Sequence, residues 1–166
     1  GDDAHVQYAL SIGELTVLAL DTLVPGAAHG ALCERRLAWL QAALAATGDA
    51  PVLIAMHHPP ATTGLVSIDQ WGLRDGAAAF AALVSAHPNV QAVLCGHQHR
   101  AITLRHAGTL VCVAPATAHQ VALDFAQPEP RWTREPPGFL LHRWTPPAGL
   151  ATHVVASGSH PAQRFR

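Results

Sequence analysis

Charge is scarce in this 166-residue chain and neither sign dominates, with Lys plus Arg at 10, Asp plus Glu at 11, and charged residues at 13%. No broad positive field exists to hold nucleic acid or an anionic membrane, so neither is an expected partner. If a ligand carries phosphate, metal ions must supply most of the positive charge. No stretch approaches the run of about 18 apolar residues that a membrane-spanning helix needs. The beginning of the chain has neither the basic flank nor the apolar core of a signal peptide, and a soluble, cytoplasmic protein is the expectation. It opens Gly1-Asp2-Asp3 without a methionine, as a processed or truncated chain would. Cysteines number three, Cys33, Cys95 and Cys112, and two of them lie in apolar runs. Buried reduced thiols are expected rather than a disulfide framework. Nucleophile-elbow serine catalysis, the Walker loop and the dinucleotide fingerprint are excluded, because no Gly-x-Ser-x-Gly follows a strand and neither glycine motif occurs.

Hydrophobic residues, by contrast, make up 49% of the chain, which is far from the composition of disordered segments. The length suits one core, so residues 1–166 are read as a single domain. Val6 to Leu10 and Glu14 to Leu20 read as a hairpin turning at Ser11-Ile12-Gly13. Leu37, Leu40 and Leu44 fall near helical spacing and predict a helix from Cys33 to Ala46, ended by Thr47-Gly48. Pro51 to Met56 is a buried strand by composition, and Ala61 to Arg74 is a loop by its glycines. Asp75 is placed to cap a helix running through Ala86, and Val90 to Cys95 returns as a strand, giving a βαβ unit. Five short strand candidates follow between Ala101 and Val155, predicting an antiparallel tail on the sheet. The proline-rich stretch from Gln127 to Pro137 reads as an irregular surface crossing.

Two histidine clusters close apolar strands: Met56-His57-His58-Pro59-Pro60 and Cys95-Gly96-His97-Gln98-His99. A strand buried on both faces reads as an unbroken hydrophobic run, and ligands in open α/β sheets sit beyond the carboxyl ends of such strands. Imidazole nitrogen suits zinc, iron, nickel or copper, and His57, His97 and His99 could converge as ligands. His97 and His99 are expected to project to nearly the same side, with Gly96 taking the positive φ of the turn. His58 is expected to point away and to take a hydrogen-bonded supporting role.

These motifs, with Leu20-Asp21-Thr22, Leu37-Ala38-Trp39-Leu40, Gly72-Leu73-Arg74 and Pro136-Pro137-Gly138-Phe139 around them, resemble the calcineurin-like metallophosphoesterases. Within that family the likeness is to class III cyclic-nucleotide and glycerophosphodiester phosphodiesterases, and it runs from about Gln7 to Trp144. The resemblance implies an α/β fold, part of a four-layer αββα sandwich in which a mixed sheet ends in antiparallel strands. It implies hydrolysis of phosphodiesters by a hydroxide activated between two divalent metals, Mn, Fe, Zn or Co. It places His57 and His97 on one metal and His99 on the other. His119, in a Thr-x-His, and Arg74 become candidate substrate contacts. The family's earlier Asp-x-His, Gly-Asp and Gly-Asn-His elements find no counterpart at a strand end here. The expected catalytic histidine would therefore lie upstream, and the chain is expected to be a carboxyl-terminal half, largely inactive alone, that self-associates as a dimer. The rival is a non-catalytic half-domain or oligomerisation module. A mononuclear zinc hydrolase ranks last, because Arg100-Ala101 rather than Asp-His follows the His-x-His.

Of the remaining residues, Arg100 and Trp71 are expected to serve packing or solvated roles, Asp69 to serve a loop, Asp21 a turn, and Trp39 the helix-facing core.

Overall fold

The computed structural model describes residues 5–164. Its centre is a six-stranded sheet in the order β1-β2-β3-β4-β6-β5. The strands are β1 (Tyr8–Ile12), β2 (Leu15–Leu20), β3 (Val52–Met56), β4 (Val90–Cys95), β5 (Ile102–His106) and β6 (Thr109–Val113). β2, β3, β4 and β6 run parallel, and β1 and β5 close the two edges antiparallel. The parallel strands carry apolar runs because one face meets the helices and the other meets, in part, a second layer of strands. Three helices interrupt the strands: α1 (Glu34–Thr47), α2 (Val66–Asp69) and α3 (Ala77–Ser85).

Period and alternation divide the side chains between two layers. Leu40 and Leu44 of α1 and Phe80 and Val84 of α3 face Leu18, Leu20, Ile54, Val93 and Val111 of the sheet in one continuous core. On the opposite face, Leu15, Leu53 and Ala92 form a smaller cluster with Val17, Leu94, Trp144 and Leu150. Trp144 and Leu150 belong to an antiparallel ribbon of β9 (Gly138–Thr145) and β10 (Gly149–Ala156), whose strands pair with each other and not with the strands of the main sheet. A further pair, β7 (Gln120–Val121) and β8 (Trp132–Thr133), crosses the end of the molecule. Helix layer, mixed sheet and ribbon layer together make an α/β fold.

Several boundaries differ from the sequence expectation, each for a local reason. The hairpin turns one step later, at Gly13-Glu14, where Gly13 takes φ +61°. Asp75 does not cap α3: Gly76 stands at its N-cap in a left-handed conformation, and an added Cβ there would lie 2.3 Å from the Leu32 carbonyl oxygen. Only β5 and β6 of the expected antiparallel tail join the sheet, since β9 and β10 find partners in each other. The 127–137 crossing is not wholly irregular, because Trp132-Thr133 pairs with Gln120-Val121.

Candidate metal centre

Because β2, β3, β4 and β6 are parallel, their carboxyl ends share one edge, and the segments that leave them carry Asp21-Thr22, His57-His58, His97–His99 and His119. Pro59 and Pro60 cannot extend β3, so the chain turns directly after the two histidines. The Gly96 amide donates to the His57 carbonyl at 3.1 Å, which fastens the two histidine motifs together.

The second motif turns in a way the sequence did not foretell. Gly96 keeps an ordinary backbone; His97 and His99 themselves take positive φ, +69° and +49°. The Gln98 amide donates back to the Gly96 carbonyl at 2.8 Å, making a three-residue γ-turn centred on His97. Left-handed conformations cost a non-glycine residue on the order of 1 kcal/mol or more each. Two in three residues therefore mark a backbone held by its surroundings.

That backbone brings His97 Nδ1 to 3.3 Å from His57 Nε2. Two nitrogens each about 2.1 Å from a common ion stand roughly 3.0–3.4 Å apart, so this pair already has the spacing of shared ligands. Ligand atoms of His57, His58 and His97 all lie within 4.8 Å of one another. His58 is tied from behind: its Nδ1 is 2.8 Å from the Thr22 hydroxyl, and both residues are buried. Gly30 leaves the room that this ring occupies, since a Cβ there would meet His58 Nδ1 at 2.4 Å. The expected hydrogen-bonded role for His58 thus has a partner, but the ring stays close, 4.8 Å from that of His57 and 4.7 Å from that of His97.

His99 sits beside this trio rather than within it. Its ring centroid lies 4.9 Å from that of His119 and 5.9 Å from that of Trp132, and His119 stacks edge-on against Trp132 at 4.6 Å. Sequence reasoning missed Trp132, which lies in the proline-rich crossing where no periodicity signals a role. Arg74 stands apart, donating its Nε and Nη2 to the Gln70 carbonyl. Arg100 is engaged elsewhere, by the Val121 carbonyl and in a two-pronged pair with Glu135. Asp21 serves the turn, accepting from the Leu23 amide at 2.8 Å and lying 3.6 Å from the buried Arg36 guanidinium.

Burial is the chief cause that pushes His97 down to about 4, with repulsion from the charged forms of His58, His57 and His99 adding to it. His58 falls to about 4 through burial and then the neighbouring His57. His57 and His99 are lowered for the same first reason, followed by His99 and His119 respectively. Neutral rings near pH 7 keep lone pairs available for a cation. Two nitrogens, His97 Nε2 and His99 Nδ1, are buried without a hydrogen-bond partner. An orphaned buried polar atom costs about 1–3 kcal/mol, and a positive ligand is a natural remedy at His99 Nδ1, whereas a His97 ring that offers Nδ1 to an ion carries its proton on Nε2. The donor set fits a divalent ion. Among the described residues, the trio is the one group of three or more candidate ligands at this spacing, and it holds no carboxylate. The letters Asp-x-His do occur, as Asp3-Ala4-His5, but Asp3 and Ala4 lie outside the described residues.

His57 also borders a cavity of about 500 Å³ that opens between the sheet and the ribbon, lined by Tyr8, Leu94, Cys112, Phe139 and His142 among others.

The fold is shared with solved structures: a dimetal phosphatase from Danio rerio superposes with a TM-score of 0.59 at 13% identity, covering 93% of this chain and 59% of that one. GAP50, the anchor in the inner membrane complex of Plasmodium, superposes equally well, at 0.59 and 12% identity over 92% of this chain and 49% of its own. Sequence likeness is closer. A probable glycerophosphodiester phosphodiesterase, GpdQ, of Arcobacter nitrofigilis is 34% identical over 158 residues, 95% of this chain and 58% of the relative. GpdQ of Enterobacter lignolyticus is 32% identical over 142 residues, 86% of this chain and 51% of its own. The 3',5'-cyclic adenosine monophosphate phosphodiesterase CpdA of Vibrio vulnificus is 36% identical over 104 residues, covering 63% and 38%. No family model matches the chain. These likenesses are consistent with the calcineurin-like metallophosphoesterase family, and the chain spans little more than half the length of the GpdQ relatives it matches. No helix among the described residues is long and apolar enough to cross a membrane.

Proposed function

We propose that this chain supplies the histidine side of a phosphodiesterase site that takes two divalent ions, Mn, Fe, Zn or Co, and acts on glycerophosphodiesters or cyclic nucleotides. One observation carries the reading: His57 and His97 present nitrogens 3.3 Å apart at the carboxyl edge of a parallel sheet, beside the orphaned His99 Nδ1. His57 and His97 would hold one ion and His99 the other. Such a pair, when bound, neutralises phosphoryl charge and makes hydroxide available at neutral pH. The chain's own part is to keep the imidazoles unprotonated by burial, to fix their spacing through the Gly96–His57 hydrogen bond, and to flank His99 with His119 and Trp132. His119 is then the nearer candidate for substrate contact. Arg74 lies outside this group.

Oxygen ligands are wanting in the trio, so the 166-residue chain by itself should bind a cation through histidines and turn over little or no substrate. Cobalt(II) titration followed in the visible d–d bands, with hydrolysis of bis(4-nitrophenyl) phosphate under added manganese, tests both halves of this reading. No cobalt binding would remove the metal centre; robust turnover would remove the claim of incompleteness.

Self-association through β1 is the accompanying inference. All five of its residues are exposed at a sheet edge, and Tyr8, Leu10 and Ile12 alternate along it. Proteins ordinarily cover or pair such an edge. Sedimentation as a monomer at micromolar concentration would count against a dimer, and would also weaken the rival reading of an oligomerisation module. The three free cysteines fit a reducing, cytoplasmic setting.

A further inference from the structure

Gln98 is the residue between the two histidines of the second motif, and it is wholly buried. Its side-chain amide donates from Nε2 to Asp69 Oδ1 at 3.0 Å, across 29 positions of sequence. Asp69 ends α2 and gathers the loop before it: its carboxylate accepts from the Thr63 amide at 2.9 and 3.0 Å, from the Thr63 hydroxyl at 2.8 Å and from the Gly64 amide at 2.8 Å. The loop is in turn fastened to the first histidine motif, because the Leu73 amide donates to the Pro59 carbonyl at 2.9 Å. Next to this network stands the γ-turn, with left-handed backbone on both sides of Gln98.

We propose that the Gln98 amide and the Asp69 carboxylate form a latch that holds His97 and His99 in their left-handed conformations, making both of them positioning residues of the metal centre. An anchor at 98 restrains both flanking residues at once, which no contact to either imidazole could do. Gln98 Oε1 finds no partner in its buried surroundings, so the side chain is a poor choice for stability alone. Methionine would fill the same space with neither the hydrogen bond nor the stranded oxygen. The glutamine there is accounted for by what its amide nitrogen holds. The consequence for cation binding rests on the metal-centre reading above; the restraint on the turn does not.

The test uses the full chain and the variants Q98M, Q98E and D69N/Q98E. In the ion-free proteins, amide hydrogen exchange at Gln98 and Gly64 reports the turn and the loop. Q98M should speed exchange at Gln98 while leaving the thermal midpoint near that of the unaltered chain. Its cobalt(II) affinity should fall roughly 10–100-fold, the usual cost of losing a partner that orients a metal ligand. Q98E sets two carboxylates against each other and should loosen the turn at least as much. D69N/Q98E puts a donor opposite an acceptor with the roles exchanged, at the cost of the Thr63 bonds to the same oxygen, and should recover part of the protection at position 98 and of the affinity lost in Q98E. The latch is overturned if Q98M and Q98E exchange and bind as the unaltered chain does, or if the double variant is no better than Q98E. Absence of cobalt binding in the unaltered chain would reject the metal-centre reading, and the exchange comparison would still decide the latch.

Discussion

The two faces of the central sheet are built from the same strands, yet they are covered very differently. Residues such as Leu18, Leu20, Ile54 and Val93 point to the helices and are almost completely buried, joined there by Leu40, Leu44 and Phe80. Leu53 and Ala92, one position before Ile54 and Val93, and Leu15, three before Leu18, face the β9–β10 ribbon instead, and the cavity of about 500 Å³ separates part of that ribbon from the sheet. Tyr8, Leu10 and Ile12 on β1, with Leu141 and Val154 on the ribbon, remain in contact with solvent. A parallel strand needs cover on both sides. The helix face has it from within the chain; the ribbon face has it only in part. The metal edge lies where the two meet, with His57 at the border of the cavity.

Phe80→Ala should give the largest effect, a loss of about 3–5 kcal/mol in urea unfolding, since the ring is fully enclosed and leaves a cavity that α1 and the sheet cannot close. A small loss there would break the contrast between the faces. His97→Ala should lower cobalt(II) affinity by about a hundredfold or more while changing the unfolding midpoint little, because under the proposed function it removes a ligand rather than a packed side chain.

The pH dependence follows from burial. Unfolded histidines take up protons as pH falls through 6.5, whereas His58 and His97 in the folded chain resist until about 4. The unfolded state therefore binds more protons across that interval, and their contribution to stability is full above 6.5 and lost as pH drops toward 4. Urea midpoints between pH 7 and 4.5 should fall with acid, and His97→Gln should flatten the slope. A slope unchanged by that variant would show that the ring is protonated as freely folded as unfolded. Smallest of all, Ala55→Val, at the wall of the ribbon-side cavity, should raise stability by about 0.5 kcal/mol, where the same kind of enlargement in the closed helix face would cost stability. Thermal unfolding distinguishes the two signs.

Much of the edge was legible because strand composition, a following proline pair and a Gly-His-x-His each leave a mark in the letters. The His57–His97 approach could be expected from parallel strands ending side by side. The positive φ fell on His97 and His99 instead of Gly96, because a γ-turn closed by the Gln98 amide centres on the residue after the glycine. The Thr22–His58 bond, the Gly30 clearance, Trp132 beside His99 and the Asp69–Gln98 pair join residues 29 or more positions apart in all but the shortest case, and no local pattern predicts such meetings.

What the sequence determined by itself is the order of the main strands with α1 and α3, the two histidine clusters at strand ends and the family they resemble, since periodicity and motif are properties of neighbouring residues. Tertiary structure alone decided that β9 and β10 pair with each other, that the ribbon face stays partly open, and that a buried glutamine holds the histidine turn. Those outcomes depend on which distant groups compete for one hydrogen-bond partner or one patch of apolar surface, and only the folded chain settles that competition.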